Sequence, residues 1–239
     1  MNVNIINEKQ TNILIYIAQN ARICTNNEAY ITQLNQNHII FNDEANEKAL
    51  NTVESLLNRG HHSVFECIYI EWYIRNISRA SANQLVRHRM ASYLQQSQRY
   101  VNYMESEDFW NNMVIPNLSY ITNSGTYNDT MEIINTTLKA IKKSYNDLIK
   151  LGIKAEDARS ILPQCSPTTI KVGMNLREFL FNFYPLRSSK HAQEEIRLLA
   201  NKMFDNLKEK YFDDKYFQSF LNTYLKWLKK HKEYRNEWK

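Results

Sequence analysis

Apolar and polar positions alternate with a helical period over much of this 239-residue chain. Between residues 129 and 151, apolar side chains recur every three or four positions and Gly152 follows, which predicts an amphipathic helix that ends there. Residues 43–59 show similar features, because acids crowd their start and Gly60 follows their end. The other predicted helices cover 78–90, 155–162, a segment from about Asn175, a segment from Ser188 or Ser189 to Lys210, and 214–233.

Two segments predict strands rather than helices. Residues 64–74 are rich in β-branched and aromatic side chains and contain neither glycine nor proline, and residues 168–172 form a second, shorter candidate. Residues 101–127, rich in asparagine, tyrosine and serine, show no regular pattern. Neither an internal repeat nor a break in composition divides the chain, so we predict one helix-rich domain over residues 1–239.

Charge and composition narrow the classes of function. The chain carries 30 basic and 25 acidic residues, a formal net charge of +5, which suits an acidic small molecule better than a nucleic-acid partner. Only four glycines and four prolines occur, and neither GxGxxG nor GxxxxGK(S/T) is present. A bound nucleotide is therefore not expected on a Rossmann turn or a P-loop.

The cysteines and the hydropathy pattern bear on the cellular compartment. Cys24, Cys67 and Cys165 are odd in number and far apart, which argues against a secreted disulfide framework and against a zinc ribbon. The chain has no run of eighteen apolar residues and no N-terminal signal stretch. We therefore predict reduced thiols, no bound metal, no membrane partner and a cytoplasmic location.

A cluster of bases between Arg87 and Arg99 is the most informative functional feature. Three arginines, one histidine and two serines fall within these thirteen residues, with no carboxylate among them. A guanidinium can hold a phosphate through two parallel hydrogen bonds, so the cluster predicts a phosphate-bearing ligand. An exposed helix face or a weak nucleic-acid patch is the alternative, although hydroxyls and amides between the bases favour a defined polar ligand.

This cluster resembles the signature RHRxxSxxxxSxR of the flavin-dependent thymidylate synthase (ThyX) family, which matches from Arg87 through Ser97 to Arg99. Gln84 stands three residues ahead of the signature, as in the family. Further similar elements follow one another over nearly the whole chain. They are residues 21–24 (ARIC), 60–66 (GHHSVFE), 148–152 (LIKLG), 158–163 (ARSILP), 175–177 (NLR) and 186–193 (LRSSKHAQ).

The resemblance implies an α/β (α+β) fold, helix-rich around a small, mostly antiparallel sheet, and a homotetramer with active sites at subunit interfaces. The implied reaction is the reductive methylation of dUMP to dTMP, with 5,10-methylenetetrahydrofolate as carbon donor and NADPH as the reductant of bound FAD. In that chemistry the reduced flavin delivers hydride to the pyrimidine, and no cysteine attacks C6. The sequence agrees, since no cysteine has an activating neighbour.

The resemblance also implies roles for individual residues. Arg187 is the predicted catalytic residue, because a fixed guanidinium near the uracil would stabilise negative charge that develops on the ring. The residues predicted to bind dUMP are Gln84, Arg87, Gln95, Ser97, Arg99, Arg159 and Arg187. The residues predicted to bind FAD are His61, Ser63, Glu66, Arg87, His88, Arg89, Gln95, Asn175, Arg177 and Asn182.

Several residues also have a plainer interpretation. Ser97 has the hydroxyl of a nucleophile, but the sequence shows no base for it, so we interpret it as a phosphate donor. Glu66 is either a flavin-site acid or a buried structural acid at the start of a strand, and His88 is either a ligand or a core or stacking histidine. Arg22 is expected to form a structural ion pair, and residues 226–239 a solvated basic helix face.

Two departures from the family pattern bear on function. Gln95 stands where the family usually has glutamate, so one charge is lost among the arginines, and we expect nucleotide binding to survive while turnover or flavin positioning changes. The segment from Arg177 to Arg187 is one residue longer than usual, which a bulge would absorb. Two alternatives therefore stay open: a paralogue with another one-carbon product, such as a hydroxymethylated pyrimidine nucleotide, and a non-enzymatic nucleotide or nucleic-acid binder.

Overall fold

The computed structural model describes residues 1–8, 10–23 and 42–235. Its strands are β1 (Asn2–Ile5), β2 (Tyr69–Ser78), β3 (Ala91–Gln95) and β4 (Pro167–Asn175). They form one antiparallel sheet in the spatial order β1-β2-β4-β3. The α-helices are α1 (Ile13–Ile23), α2 (Asp43–Asn58), α3 (Arg79–Leu85), α4 (Glu107–Asn111), α5 (Ser124–Lys150), α6 (Ala155–Ala158), α7 (Tyr184–Arg187), α8 (Glu194–Lys210) and α9 (Lys215–Arg235). The predicted helix-rich fold around a small antiparallel sheet is confirmed.

One face of the sheet forms the main hydrophobic core. Along β2 and β4, alternate side chains point to that face and are buried; they are Ile70, Trp72, Ile74, Ile170, Val172 and Met174. Helices α1, α2, α8 and α9 add apolar residues to the same cluster. Burying one such side chain stabilises the fold by roughly 1.5–3 kcal/mol. The opposite face of β2 carries Tyr69 and Tyr73, which are both exposed.

A smaller apolar cluster orders the segment 101–127, which had no predicted structure. Tyr103 stacks on Phe109 with 3.7 Å between ring centroids, and its carbonyl accepts a hydrogen bond from Trp110 Nε1 at 3.0 Å. The buried Tyr145 of α5 accepts a hydrogen bond from the Tyr103 amide at 3.2 Å. Ring contacts and the Tyr145 hydroxyl therefore hold this part of the segment against α5, and the Trp110 indole ties the segment to itself.

Helices with local sequence signals lie close to their predicted positions. This holds for α2, α5 and α9, and residues 155–162 form α6 followed by a 3-10 helix, Arg159–Ile161. Gly60 and Gly152 follow α2 and α5 with φ of 76° and 88°, a conformation that costs other residues about 1–2 kcal/mol. None of the described helices is both long and apolar enough to cross a membrane.

The strand predicted over 64–74 is wrong at both ends. Val64 and Phe65 lie in a 3-10 helix, and both side chains are buried, whereas neighbouring strand residues point to opposite faces. β2 begins only at Tyr69, and it runs on to Ser78 past an irregularity in its pairing with β4. Asn76, with φ of 57°, lies at that irregularity. Asparagine tolerates the left-handed conformation, so the strand continues beyond the break in its alternation.

The helix predicted over 78–90 is too long, and a strand was missed behind it. Helix α3 ends at Leu85, and β3 follows after a short turn. The inner side of β3 carries only Ala91, Tyr93 and Gln95, and β4, its one partner among the described strands, is distant in the sequence. A pattern this short and polar does not predict a strand. The basic cluster therefore lies on a turn and an edge strand, and its interpretation as an exposed helix face is wrong.

The helix predicted from about Asn175 also starts later than expected. β4 continues to Asn175, and a π-helix then covers Glu178–Phe183 before α7 begins. A π-helix holds more residues per turn than an α-helix and is typical of a single-residue insertion. A π-helix therefore lies between Arg177 and Arg187, the segment in which a bulge was expected.

Helix α8 begins at Glu194, so neither Ser188 nor Ser189 caps it. Gln193 occupies the N-cap position without a side-chain cap bond. Ser189 Oγ instead accepts a hydrogen bond from the His191 amide at 3.4 Å, which forms a tight turn ahead of the helix. Strand β1 and helices α1 and α4 were not predicted.

Candidate functional site

The turn between α3 and β3 presents the signature residues in two directions. Tyr93 of β3 donates its hydroxyl toward the carbonyl oxygens of Leu85 and His88, at 2.9 Å and 2.8 Å, and so ties the turn to the strand. Burial raises the pKa of this phenol. Within the tied turn His88 is buried, whereas Arg87 and Arg89 on either side of it are exposed.

Buried His88 links Arg187 of α7 to Glu178 of the π-helix. Arg187 Nε donates to His88 Nε2 at 3.0 Å, and His88 Nδ1 lies 3.5 Å from Glu178 Oε1. Because Nε2 accepts, the ring proton is on Nδ1 and points to the carboxylate. The edge-to-face contact of His88 with Phe183, 4.9 Å between centroids, packs the ring in place. His88 is thus a buried histidine, one of the two alternatives left open by the sequence.

The electrostatics of this buried group favour a neutral imidazole. Burial lowers the pKa of His88, the Arg187 cation lowers it further, and the Glu178 carboxylate opposes both effects. Burial also lowers the pKa of Arg187, but a guanidinium keeps its proton in proteins. Arg187 Nη2 donates to the Gln84 carbonyl at 3.0 Å, so two of its nitrogens are fixed.

Two predicted flavin ligands are connected to Glu178. Asn175 Oδ1 accepts the Glu178 amide at 2.8 Å, and Asn182 Nδ2 donates to Glu178 Oε2 at 2.6 Å. Glu178 itself was not predicted as a site residue. The pattern Asn-x-x-Glu at 175–178 is a helix-start signature, and it is the one signal that could have drawn attention to Glu178. That pattern does not predict the contacts of the Glu178 side chain with His88 and Asn182.

A second group of charges lies on the surface near the start of α6. Arg99 Nε and Glu156 Oε2 are 2.5 Å apart, and Arg159 Nε donates to the Glu156 carbonyl at 3.0 Å. Ser97 Oγ accepts the Arg99 amide at 3.1 Å. The guanidinium of Arg99 holds the pKa of Glu156 below its usual range. The structure therefore brings together three residues that were predicted to bind dUMP.

Arg79, at the start of α3, is a further base that sequence analysis missed. Its Nη2 donates to the Gln96 carbonyl at 2.8 Å, immediately before Ser97. Burial lowers the pKa of Arg79, and the charge of Arg159 lowers it further. Arg79 had no sequence signal, because it stands eight residues ahead of the signature.

Two further residues that were predicted to bind dUMP, Gln84 and Gln95, carry side-chain amides. Gln84 Nε2 donates to Gln193 Oε1 at 2.7 Å, which connects α3 to the start of α8. Gln95 Nε2 lies 3.3 Å from Thr168 Oγ1 on the neighbouring strand β4. Both side chains keep a further oxygen or hydrogen for a ligand.

The segment after α2 carries the remaining predicted flavin residues. Glu66 is ion-paired with Arg177, and both side chains are nearly half exposed. The alternative of a buried acid at the start of a strand is therefore wrong for Glu66. His61 and Ser63 are exposed beside it, because Gly60 turns the chain outward at the end of α2.

No described residues form a cluster of three or more metal-ligating side chains. Cys67 and Cys165 are free thiols, and burial raises the pKa of Cys165, which makes it a poorer nucleophile. Cys24 lies outside the described residues, as do residues 236–239 of the predicted basic face.

The sequence of the chain matches the model of a known protein family. The family model Thy1, described as thymidylate synthase complementing protein, matches residues 8–211. The chain belongs to the Thy1 family. The resemblance drawn from the signature is thereby confirmed, and the relatives and solved structures of Thy1 proteins become the appropriate reference.

Two curated relatives of the chain carry the same name. The flavin-dependent thymidylate synthase of Geobacter sulfurreducens is 40% identical over 151 residues, which cover 63% of this chain and 61% of the relative. The flavin-dependent thymidylate synthase of Pyrococcus furiosus is 38% identical over 174 residues, covering 73% and 65% respectively. The chain thus spans less than two thirds of the length of either relative.

The fold agrees with a solved Thy1-type structure. The flavin-dependent thymidylate synthase ThyX of Helicobacter pylori, crystallised with FAD and dUMP, superposes with a TM-score of 0.62. The match covers 88% of this chain and 96% of that one at 22% identity. The two proteins therefore share their fold.

Proposed function

We propose that this chain is a flavin-dependent thymidylate synthase. The Geobacter and Pyrococcus relatives carry that name, and the Helicobacter enzyme was solved with FAD and dUMP. The observation that carries the proposal is the Arg187 guanidinium, fixed at 3.0 Å by both His88 and the Gln84 carbonyl beside the arginine signature. In this arrangement the arginine signature would hold the phosphate of dUMP. The fixed Arg187 cation would then stabilise the negative charge that develops on the uracil ring during the reaction.

The proposed reaction transfers one carbon and two electrons. The methylene carbon of 5,10-methylenetetrahydrofolate bonds to C5 of dUMP and becomes a methyl group. NADPH supplies the two electrons and one proton is taken up, so that dTMP, tetrahydrofolate and NADP⁺ are formed. FAD, when bound, carries the electrons from NADPH to the nucleotide.

The side chains around the signature turn and the segment after α2 have the chemistry to bind FAD. His61, Ser63, Arg87 and Arg89 are exposed and form no side-chain hydrogen bond or ion pair within the part of the chain that the structure describes. Their donors are therefore open to phosphate and hydroxyl groups. The other residues that we propose for FAD are Glu66, Gln95, Asn175, Arg177 and Asn182. His88 was also predicted to bind FAD, but it is buried and its ring nitrogens face Arg187 and Glu178, so we propose that it acts through Arg187 instead.

Two sets of residues divide the contacts to dUMP. We assign the phosphate and sugar to Arg87, Ser97 and Arg99, because a phosphate can replace the partly exposed Glu156 carboxylate on Arg99. Gln84 and Gln95 contribute amides beside them. Arg159 and Arg187 would contact the pyrimidine.

Arg187 is the residue that we propose as catalytic. When N3 of the uracil loses its proton, negative charge spreads over the ring and its carbonyl oxygens. A cation already fixed in direction stabilises that charge without reorganising, which contributes about 3–4 kcal/mol to lowering the barrier. His88 and Gln84 provide the fixed direction by holding Nε and Nη2.

We propose further that the protein is a cytoplasmic homotetramer with active sites at subunit interfaces. The exposed outer face of the sheet supports this, because it carries Tyr69, Tyr73 and Leu94 with 46%, 40% and 71% of their surfaces exposed. Large exposed side chains on a flat sheet face are typical of a contact with another subunit. Light scattering of the purified protein measures the mass of the assembly, and a monomer would contradict this proposal.

One incubation tests the proposed activity. Purified protein is mixed with FAD, NADPH, 5,10-methylenetetrahydrofolate and dUMP, and the nucleotide product is identified by mass spectrometry. We expect a yellow protein whose flavin absorption bleaches with NADPH, and a product with the mass of dTMP. A hydroxymethylated product would indicate a paralogue with another one-carbon outcome. Protein that neither binds FAD nor changes dUMP would overturn the proposed function.

A further inference from the structure

Glu178 has three partners but no predicted role in the site. Its carboxylate lies between the Nδ1 of His88 and the Nδ2 of Asn182, at 3.5 Å and 2.6 Å, and its amide is held by Asn175. Glu178 and His88 are both among the few buried polar side chains, 6% and 8% exposed. Removing a carboxylate from water is unfavourable unless other groups compensate for the lost hydration, so the position of Glu178 calls for a physical explanation.

We propose that Glu178 is a positioning residue that, through His88, fixes the direction of the Arg187 guanidinium. The Glu178 carboxylate favours the tautomer of His88 that keeps its proton on Nδ1, facing the carboxylate. That tautomer has a lone pair on Nε2. That lone pair accepts from Arg187 Nε, and the Gln84 carbonyl accepts from Nη2. This inference deepens the proposed function and rests on it, because the direction matters only if Arg187 faces the pyrimidine.

The opposite tautomer of His88 would break the arrangement. With the proton on Nε2, two N–H donors would face each other across 3.0 Å, and Arg187 would have to turn away. A buried carboxylate beside a histidine selects the tautomer in this way, as it does in other carboxylate–histidine pairs. Asn182 keeps the carboxylate in place by holding its other oxygen.

The variant Glu178→Gln distinguishes control of the His88 tautomer from a purely structural contribution of Glu178 to the fold. Asn182 donates to one side-chain oxygen of Glu178, so a glutamine there turns its oxygen to Asn182 and its amide to His88. The amide then donates to Nδ1 and moves the ring proton to Nε2. We expect kcat to fall by about 10- to 100-fold, while the KM for dUMP changes little because the phosphate-binding arginines are untouched.

The pH profile gives a readout that a purely structural residue would not move. The titratable groups facing His88 are Glu178 from the π-helix, Arg187 from α7 and Tyr93 from β3. Activity requires neutral His88, so kcat falls as His88 gains a proton. Because the Glu178 carboxylate stabilises the protonated ring, its loss shifts the acidic limb of the kcat profile to lower pH. The control Glu195→Gln, which removes a carboxylate that holds Ser78, should leave the limb in place.

A double-mutant cycle tests whether Glu178 acts through His88. In a His88→Gln background the imidazole is absent, so Glu178→Gln should lower kcat by less than about twofold. Losses that multiply in the double variant, or an acidic limb that stays at the wild-type pH in Glu178→Gln, would overturn the proposal.

Nitrogen NMR of the imidazole side chains tests the same geometry without any activity. His88 is assigned by its loss in His88→Gln, and wild-type protein should show the proton on Nδ1, with Glu178→Gln moving it to Nε2. A proton on Nε2 in the wild type would overturn the positioning role. If the wild type makes no dTMP, the proposed function fails, whereas the tautomer and its response to Glu178→Gln still decide the role of Glu178.

Discussion

Two arginines of the candidate site, Arg187 and Arg99, are held in opposite ways. Arg187 is partly buried and donates to an imidazole and a carbonyl that cannot move away. Arg99 is more than half exposed and pairs with a carboxylate that is itself partly exposed. Water screens the second interaction more than the first, because the His88 partner of Arg187 is buried. The structure thus combines one arginine of fixed direction with another that can exchange its partner.

This difference matches two separate tasks in binding a nucleotide. Charge that develops on a ring during reaction is stabilised only by groups already in place, because reorganising them would cost the energy gained. A phosphate carries its charge before it binds and can displace the Glu156 carboxylate from Arg99. A partly buried arginine with a fixed direction suits the first task, and an exposed arginine suits the second.

Replacing Arg187 by lysine should have the largest effect. A lysine ammonium cannot donate to His88, the Gln84 carbonyl and a pyrimidine in the geometry of a planar guanidinium. We expect Arg187→Lys to lower kcat by on the order of 100-fold, measured by dTMP formation under saturating dUMP. The matched control is Arg197→Lys, because Arg197 donates to the Lys190 carbonyl outside the proposed site. Equal kcat values in the two variants would contradict the role of Arg187.

Removing Arg99 should affect binding rather than turnover. A hydrogen bond between a guanidinium and a phosphate is worth about 1.5–3 kcal/mol, so Arg99→Ala should raise the Kd for dUMP by roughly 10- to 100-fold. Deoxyuridine has no phosphate and should bind both proteins equally. Calorimetric titration measures both ligands, and Lys142→Ala, which removes an exposed base paired with Glu107, is the control. A parallel loss for deoxyuridine would show that Arg99 does not hold the phosphate.

The sequence predicted the exposed arginine group better than the buried one. Arg99 and Ser97 are two residues apart in the signature, so one local pattern reveals both. Arg187 and His88 are 99 positions apart, and nothing in either segment shows that they meet. Glu178 was missed for the same reason, because its importance depends on His88 in a distant turn. The resemblance to ThyX supplied the role of Arg187, but not the groups that hold it.

The fold shows the same division between local and distant causes. Helices α2 and α5 were predicted from their periodicity and from the glycines that follow them, which are local signals. Strand β3 was missed because its five residues, ASYLQ, carry no strong strand pattern and become a strand only when paired with β4. Tertiary contacts decide such short segments, and no propensity scale contains them.

The pH dependence of the free energy of unfolding should show that His88 is buried in its neutral form. Burial lowers the pKa of His88 below the ordinary value of 6.5, so the unfolded chain binds more protons than the folded one as the solution becomes acidic. The stability is therefore fully present above pH 6.5 and is lost as the pH falls toward the pKa of folded His88. In His88→Gln, urea unfolding should depend less on pH. Burial also lowers the pKa of His62, which leaves part of the dependence in both proteins. Identical pH dependence would contradict a buried, neutral His88.

The smallest effect is expected from Glu156→Gln, which removes the competitor for Arg99. An exposed ion pair contributes little to stability, so thermal unfolding should hardly change. Arg99 no longer has to leave a carboxylate to bind the phosphate, and dUMP should bind up to about threefold more tightly at low salt. The gain should disappear at high salt, because ions screen the exposed pair in the parent protein too. Titrations with dUMP at both salt concentrations measure this. Weaker binding of dUMP would mean that Glu156 orients Arg99 for the phosphate instead of competing with it, and the exposed arginine would then be as preorganised as the buried one.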